Sequence, residues 1–190
     1  MAQSTSAGMT DASQLALMPL ITGFMTSRII QVAAELGIAD LLAKGPTTIE
    51  GLSAQTQTHA PSLHRMLRAL ASFGLVDEIE PGRFALTLLG TQLCSNEAWS
   101  LRHLAMMYGS ERAWRCWSDL LHCVRTGQSG MAHVYGVGIF EYLTAHPEAA
   151  RVFNEAMAEI GAKSHERWLR PMTFRASALS SMWAGAAVRL

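Results

Sequence analysis

Pro61-Ser62-Leu63-His64-Arg65-Met66-Leu67-Arg68-Ala69-Leu70-Ala71-Ser72-Phe73-Gly74 runs straight into Leu75-Val76-Asp77-Glu78-Ile79-Glu80-Pro81-Gly82-Arg83-Phe84-Ala85-Leu86-Thr87. In the first run, Leu63, Met66, Leu67 and Leu70 recur on one helical face, Pro61 sits where a first-turn proline is tolerated, and Gly74 ends the pattern. In the second, the β-prone runs Leu75 to Ile79 and Arg83 to Thr87 flank Pro81-Gly82, the punctuation of a hairpin. A helix delivering its chain directly into a short hairpin is the core of a winged helix.

Upstream, Thr47-Thr48-Ile49-Glu50 places a hydroxyl and a carboxylate three residues apart, which predicts a reciprocal capping box and a short helix through Ala54. Before the break at Lys44-Gly45-Pro46, apolar residues keep helical spacing from Leu15 to Leu36 (Leu17, Ile21, Phe24, Met25, Ile29, Val32), and Gly37 supplies the C-cap. Met1 to Ser13 are small and polar and read as a disordered arm. Downstream of Gly90, helices are expected over Trp99 to Tyr108, Glu111 to Thr126 and Pro147 to about Leu169, with a loop around Gly127 to Gly138. The fold class expected is mostly α: a winged helix-turn-helix with a small β-hairpin plus additional helices.

At 190 residues the chain has the length of one ordinary domain, too short for two full α/β domains side by side. Its 15 Lys and Arg balance 15 Asp and Glu, so no global field draws it to nucleic acid or an acidic membrane. With 49% apolar and 16% charged residues it can bury a sizeable core and leave apolar surface for a partner chain. Three cysteines, Cys94, Cys116 and Cys123, make an odd count, and Met1 to Asp11 has no basic leader region, so a reducing cytoplasm is expected rather than a disulfide framework. The stretch Leu15 to Met25 contains Thr22 and is short for a membrane span, so a soluble protein is expected.

A winged helix first suggests DNA. Between Thr47 and Thr91, however, Arg65, Arg68 and Arg83 face Glu50, Asp77, Glu78 and Glu80, three of them at the wing, where phosphate contact requires base. Cys116, His122 and Cys123 share one expected helix, but their spacing matches no standard zinc pattern, which favours buried thiols and a surface or interface histidine. The seven histidines name no catalytic triad. Gly136-Val137-Gly138 lacks a preceding strand and reads as a loop. Phe153 and Met157 stand i and i+4 on one helix face, a pair that either clamps a flat aromatic ligand or fills a core or dimer interface.

The ordered set Ala33-Ala34-Glu35-Leu36-Gly37-Ile38-Ala39-Asp40-Leu41-Leu42, Leu63-His64-Arg65-Met66-Leu67-Arg68-Ala69-Leu70, Arg83-Phe84-Ala85-Leu86-Thr87-Leu88-Leu89-Gly90, Phe140-Glu141-Tyr142-Leu143 and Phe153-Asn154-Glu155-Ala156-Met157 resembles the N-terminal half of plant-type and bacterial small-molecule O-methyltransferases. The resemblance covers about Leu15 to Ser164. It implies that the winged helix is a dimerisation domain (14–92) whose helices interlock with a second subunit, either another copy or a full-length methyltransferase. It further implies that residues 93–174 supply acceptor-pocket helices, with Phe153, Asn154 and Met157 as substrate-binding residues and Met107 and Trp114 as further candidates. The family uses S-adenosylmethionine, held on a Rossmann-like half by Asp-x-Gly-Gly-Gly-x-Gly, with a general-base histidine beyond it. Neither motif stands in residues 1–190, so no cofactor-binding, catalytic or metal residue is expected here and the chain alone is expected to be inactive.

The last stretch, Arg175 to Leu190, has no clean period. Met182 and Trp183 have one codon each, and reading one base earlier turns Trp183 and Ala184 into a forced Val-Gly. The neighbouring codons then permit Asp-Val-Gly-Gly-Gly-x-Gly. Residues 175–190 are accordingly expected to be an out-of-frame tail. The contrasting expectations are a winged-helix regulator, a stand-alone dimerisation module, or an unselected product that seldom folds.

Overall fold

A computed structural model describes residues 4–162, with side chains from residue 14 to 161. Helix α1 spans Ser4–Glu35 and gives way at Gly37, whose φ of +66° is the left-handed conformation that glycine adopts without strain. Helix α2 (Ile38–Leu42) follows, then strand β1 (Thr47–Thr48), helices α3 (Ile49–Thr56) and α4 (Ala60–Ser72), and the wing, β2 (Val76–Glu80) and β3 (Arg83–Leu86). Sheet order is β1-β3-β2, all antiparallel, with Glu78 opposite Phe84 and a bulge between Glu78 and Glu80. The mostly helical winged fold expected from the sequence is the fold observed.

Leu63, Leu67 and Leu70 of α4 are buried, as the stripe requires, and meet Ile38, Leu52, Val76 and Phe84 in one core. Met66 is partly buried against that cluster. Thr87 ties the wing to α4, its hydroxyl donating to the carbonyls of Gly74 (2.7 Å) and Leu75 (3.0 Å) while accepting from the Gly90 amide (3.0 Å). Gly90 is needed for this closure, because a Cβ there would stand 2.1 Å from the Leu75 carbonyl oxygen.

Beyond the wing lie α5 (Arg102–Gly109), α6 (Glu111–Ser118), α7 (Leu120–Thr126), α8 (Gly130–Tyr135), α9 (Ile139–Ala145) and α10 (Pro147–Ala162). Helix α5 packs between α1 and α10. Glu159 of α10 holds the start of α5: its carboxylate accepts from the backbone amides of His103 and Leu104, both at 3.0 Å, and from His103 Nδ1 at 2.9 Å.

Several boundaries differ from the sequence expectation. Helix α1 begins at Ser4, so Ser4 to Ser13 of the expected arm are helical, and Met1 to Gln3 lie outside the described residues. Extending an existing helix avoids the nucleation cost, so weak formers can follow strong ones. The cap of α3 is Thr48, which accepts from the Gly51 amide at 3.3 Å; Thr47 has joined β1 and donates to the Gly45 carbonyl, so no box with Glu50 forms. The helix expected over Glu111 to Thr126 breaks at Asp119, and the expected loop Gly127 to Gly138 contains α8. The expected extension of α10 to Leu169 and the tail Arg175 to Leu190 lie outside the described residues. Gln14–Glu35 is also longer and more apolar than the eleven-residue stretch weighed above: by length and composition alone its 22 residues suffice to cross a membrane. Its C-terminal half is instead tied into the fold, through Ala33 in the core and Arg28, whose Nη1 donates to the Gly109 carbonyl at 2.6 Å.

Candidate functional site

Two surfaces emerge. The first is the N-terminal part of α1, where Leu15, Leu17, Met18, Leu20, Ile21, Phe24 and Met25 are each 51–67% exposed. So much contiguous apolar surface on one helix marks an interaction face. Gln31, one turn past Arg28, is by contrast 1% exposed and lies against Gly109, where an added Cβ would come within 2.2 Å of its Cγ. Its Oε1 has no hydrogen-bond partner among the described residues.

The second surface is the outer side of α9 and α10. Ala156 is fully buried, fixing which side of α10 faces inward. Phe153 is half-buried and meets Phe140 edge-to-face at 6.5 Å; Phe140 is 67% exposed. Met157, one turn on from Phe153, is 38% exposed, and Asn154 is exposed beside it. Met107 is buried on α5. Trp114 lies on α6, half-buried and edge-to-face with Phe24 of α1 at 5.9 Å, its Nε1 buried without a partner among the described residues.

The five expected site residues thus divide. Phe153, Asn154 and Met157 share α10, and Met107 sits on the helix packed against it, whereas Trp114 belongs with the apolar face of α1. A hollow of about 350 Å³ is lined by Tyr135, Val137, Glu141, Tyr142, Ala145 and His146 and takes in none of the five. In it Tyr142 stacks on His146 (3.9 Å between centroids) and meets Tyr135 edge-to-face at 4.9 Å. Burial, reinforced by Tyr142, pushes the Tyr135 phenol up from its ordinary pKa. The Tyr142–His146 pair was legible as an i, i+4 spacing of rings on one helix face. Phe24 stood in the apolar run of α1 and Phe140 in the motif at 140–143, but their ring contacts with Trp114 and Phe153 follow only from the fold.

The three cysteines are free thiols. Burial pushes the Cys94 and Cys116 thiols up, which keeps both protonated and poor as nucleophiles. Cys116 Sγ lies 3.3 Å from Met131 Sδ of α8 and takes no part in the cluster of Asp119, His122 and His133. At the wing, Glu78 accepts from the Gly82 amide at 2.9 Å and pairs with His64 of α4 at 3.1 Å, and Glu80 pairs with Arg83 at 3.7 Å. These contacts occupy the His64 ring and the Arg83 guanidinium with carboxylates, where a phosphate-reading wing would present free base.

Residues 18–96 match the family described as "O-methyltransferase dimerisation domain". Phenazine O-methyltransferase PhzM of Lysobacter antibioticus is 45% identical over 158 residues, 83% of this chain and 46% of that protein. The crystal structure of LaPhzM superposes with a TM-score of 0.75 at 41% identity, covering 87% of this chain and 47% of that one. Human N-acetylserotonin methyltransferase, solved in complex with S-adenosylmethionine, gives a TM-score of 0.72 at 25% identity over 79% of this chain and 46% of its own. The chain therefore spans about half the length of the curated relatives it matches. Residues 18–96, which hold the winged helix and most of the exposed apolar face of α1, are therefore an O-methyltransferase dimerisation domain.

Proposed function

We propose that the chain supplies the dimer-forming and acceptor-walling half of an S-adenosylmethionine-dependent O-methyltransferase whose acceptor is a small aromatic or polyketide-like hydroxyl compound. The exposed apolar face from Leu15 to Met25 carries this reading. Burying such side chains is worth about 1.5–3 kcal/mol each, so a second subunit laid along α1, another copy or a full-length methyltransferase, has ample driving force. Phe153, Phe140 and Met157 then offer an apolar wall, with Asn154 as its polar neighbour and Met107 behind it. Trp114, placed against α1, contributes at the subunit boundary.

The cofactor does not fit the residues described. The only Gly-x-Gly of the chain, Gly136 to Gly138, follows α8 rather than a strand, and the three described strands form an antiparallel sheet without a parallel strand to open a phosphate-type turn. No catalytic step is assigned to these residues. The 190-residue chain by itself is accordingly expected to bind no S-adenosylmethionine and to transfer no methyl group.

Light scattering of the purified chain, paired with calorimetry against S-adenosylmethionine, tests both halves of the reading. A dimer without cofactor heat supports it. Monomers at high micromolar concentration overturn the dimer-forming role, and micromolar cofactor binding overturns the division of labour. Resequencing the DNA from the Phe174 codon through Leu190 tests the proposed frame slip, since a shifted frame reading Asp-Val-Gly-Gly-Gly-x-Gly and running on through a Rossmann-like domain is the expected result. A regulator would instead shift genomic DNA fragments in a gel, which the acid-balanced wing argues against. A cytoplasmic location accompanies the proposal.

A further inference from the structure

Helix α6 ends at Asp119, whose φ of −88° and ψ of 6° turn the chain into α7. Asp119 and His122 are three residues apart across this junction, a spacing that brings their side chains to one side. From the other side, α8 delivers His133. The His122 and His133 rings stack at 3.6 Å between centroids with an 8° interplanar angle. His133 Nδ1 lies 2.8 Å from Asp119 Oδ2, and His122 Nε2 lies 3.0 Å from Gln128 Oε1. One ligand atom from each of Asp119, His122 and His133 falls within 4.8 Å of the other two.

We propose that Asp119, His122 and His133 form a binding site for a divalent transition ion of the zinc class. Two imidazoles and one carboxylate are the donors such an ion prefers. Metal–ligand bonds of about 2.0–2.2 Å place neighbouring ligand atoms about 3–3.5 Å apart, so the 4.8 Å cluster must tighten by about 1 Å or more, and because imidazole lone pairs lie in the ring plane, one of the two stacked rings must also turn out of the stack to face the same ion. Gln128 Oε1 can only accept, so neutral His122 donates from Nε2 and keeps the Nδ1 lone pair free. An outer carbonyl that fixes a histidine tautomer in this way is the usual support of a metal ligand. The Asp119 carboxylate likewise only accepts, which assigns the Nδ1 proton to His133; ion binding either uses its Nε2 or displaces that proton to solvent.

Contacts outside the cluster hold the corner in place. Helix α8 is set against α6 by the Cys116–Met131 contact and by Gly130, whose added Cβ would stand 2.9 Å from the Cys116 carbonyl oxygen. The His133 side chain is 45% exposed and that of Asp119 is 18% exposed, so the site opens to solvent, and water completes the coordination. An ion here would pin α7 to α8. Nothing in this site belongs to the acceptor wall or to the apolar face of α1, and it stands independently of the proposed function.

The test is titration of the full 190-residue chain, freed of metal by a chelator, with Zn²⁺ alone, followed by calorimetry and thermal unfolding. Co²⁺ absorption spectra report the donor set. One Zn²⁺ per chain is expected, with affinity falling at least about tenfold in His122→Ala and in His133→Ala and holding in Cys123→Ser. The Co²⁺ complex should lack thiolate charge-transfer bands. Circular dichroism of the His133→Ala chain checks folding, and in a folded variant the Zn²⁺-dependent rise in melting temperature should vanish. Absence of binding, affinity that survives both histidine substitutions, or loss of binding in Cys123→Ser would each overturn the proposal.

Discussion

Glu159→Ala is the most informative single change to the helical half. Helix α5 starts at Arg102 behind Leu101, whose side chain has no group to cap it, and the Ser100 hydroxyl accepts only the Arg102 amide at 3.1 Å. Glu159, 11% exposed on its side chain, does that work from α10, taking two backbone amides at 3.0 Å and the His103 ring at 2.9 Å. Loss of an N-cap costs about 0.5–2 kcal/mol, and a buried donor left without an acceptor about 1–3 kcal/mol. Two amides are released, so Glu159→Ala should lose about 2–4 kcal/mol. Glu159→Gln keeps one acceptor while turning an amide NH₂ toward the other donor, and should lose about 1–2 kcal/mol. His103→Ala removes only the ring and its hydrogen bond to Glu159, a net contribution of about 0.5–1.5 kcal/mol. Urea unfolding at fixed protein concentration ranks the three variants, and thermal melts should place the alanine variant about 5–15 °C below the parent chain. If Glu159→Ala stays within about 0.5 kcal/mol of the parent, or if His103→Ala costs as much, the capping argument is wrong.

Ile21→Glu places a charge in the proposed subunit interface and should raise the dimer dissociation constant at least about 100-fold by light scattering, with the helical content retained. Gly90→Ala forces a methyl group against the Leu75 carbonyl and should cost about 2–3 kcal/mol or more in chemical denaturation, because backbone on both sides must move. Cys94, 2% exposed and with its thiol pushed up by burial, should resist a thiol reagent in the folded chain and react fully in urea, as peptide mapping would read out. Glu78 is held below the ordinary carboxylate range, first by the Gly82 amide and then by His64, so its contribution is complete above that range and disappears as pH falls through its lowered value. The protection factor of the Gly82 amide, its exchange corrected for the intrinsic pH dependence, should therefore fall on acidification more in the parent chain than in Glu78→Gln.

The winged half was legible because each element carries its own local signal. The α4 stripe needs only helical period, and the hairpin needs only Pro81-Gly82 between β-prone runs; Gly82 indeed takes φ +74°. The helical half was less legible because its decisive contacts are remote. Glu159 meets α5 55 and 56 residues away, and no window of sequence pairs them. Helix α8 is only six residues long, with glycines at or next to both ends, which is also the composition of a loop. Asp119 breaks one expected helix into two, and that break is what lets His133 approach His122. Among the candidate wall residues, Phe153 and Met157 stood out by spacing, whereas nothing in the sequence showed that Trp114 would meet α1 at Phe24.

Asp40 occupies the seam between the two halves. Its Oδ1 accepts from the Ser95 amide at 2.7 Å and hydroxyl at 3.1 Å, and its Oδ2 accepts from Arg102 Nη1 at 3.1 Å, while Arg102 Nε donates to the Ala34 carbonyl at 2.9 Å. Asp40 and Arg102 together thus join the end of α1, helix α2, the segment after the wing and the first turn of α5. A chain cut at residue 96 would keep the family-matched segment yet strip Asp40 of Arg102 and leave the Ala34 carbonyl with the Gly37 amide alone. The family-matched segment and the cooperative unit should then have different borders: the match ends at residue 96, whereas a single unfolding transition is expected to take in α5 as well.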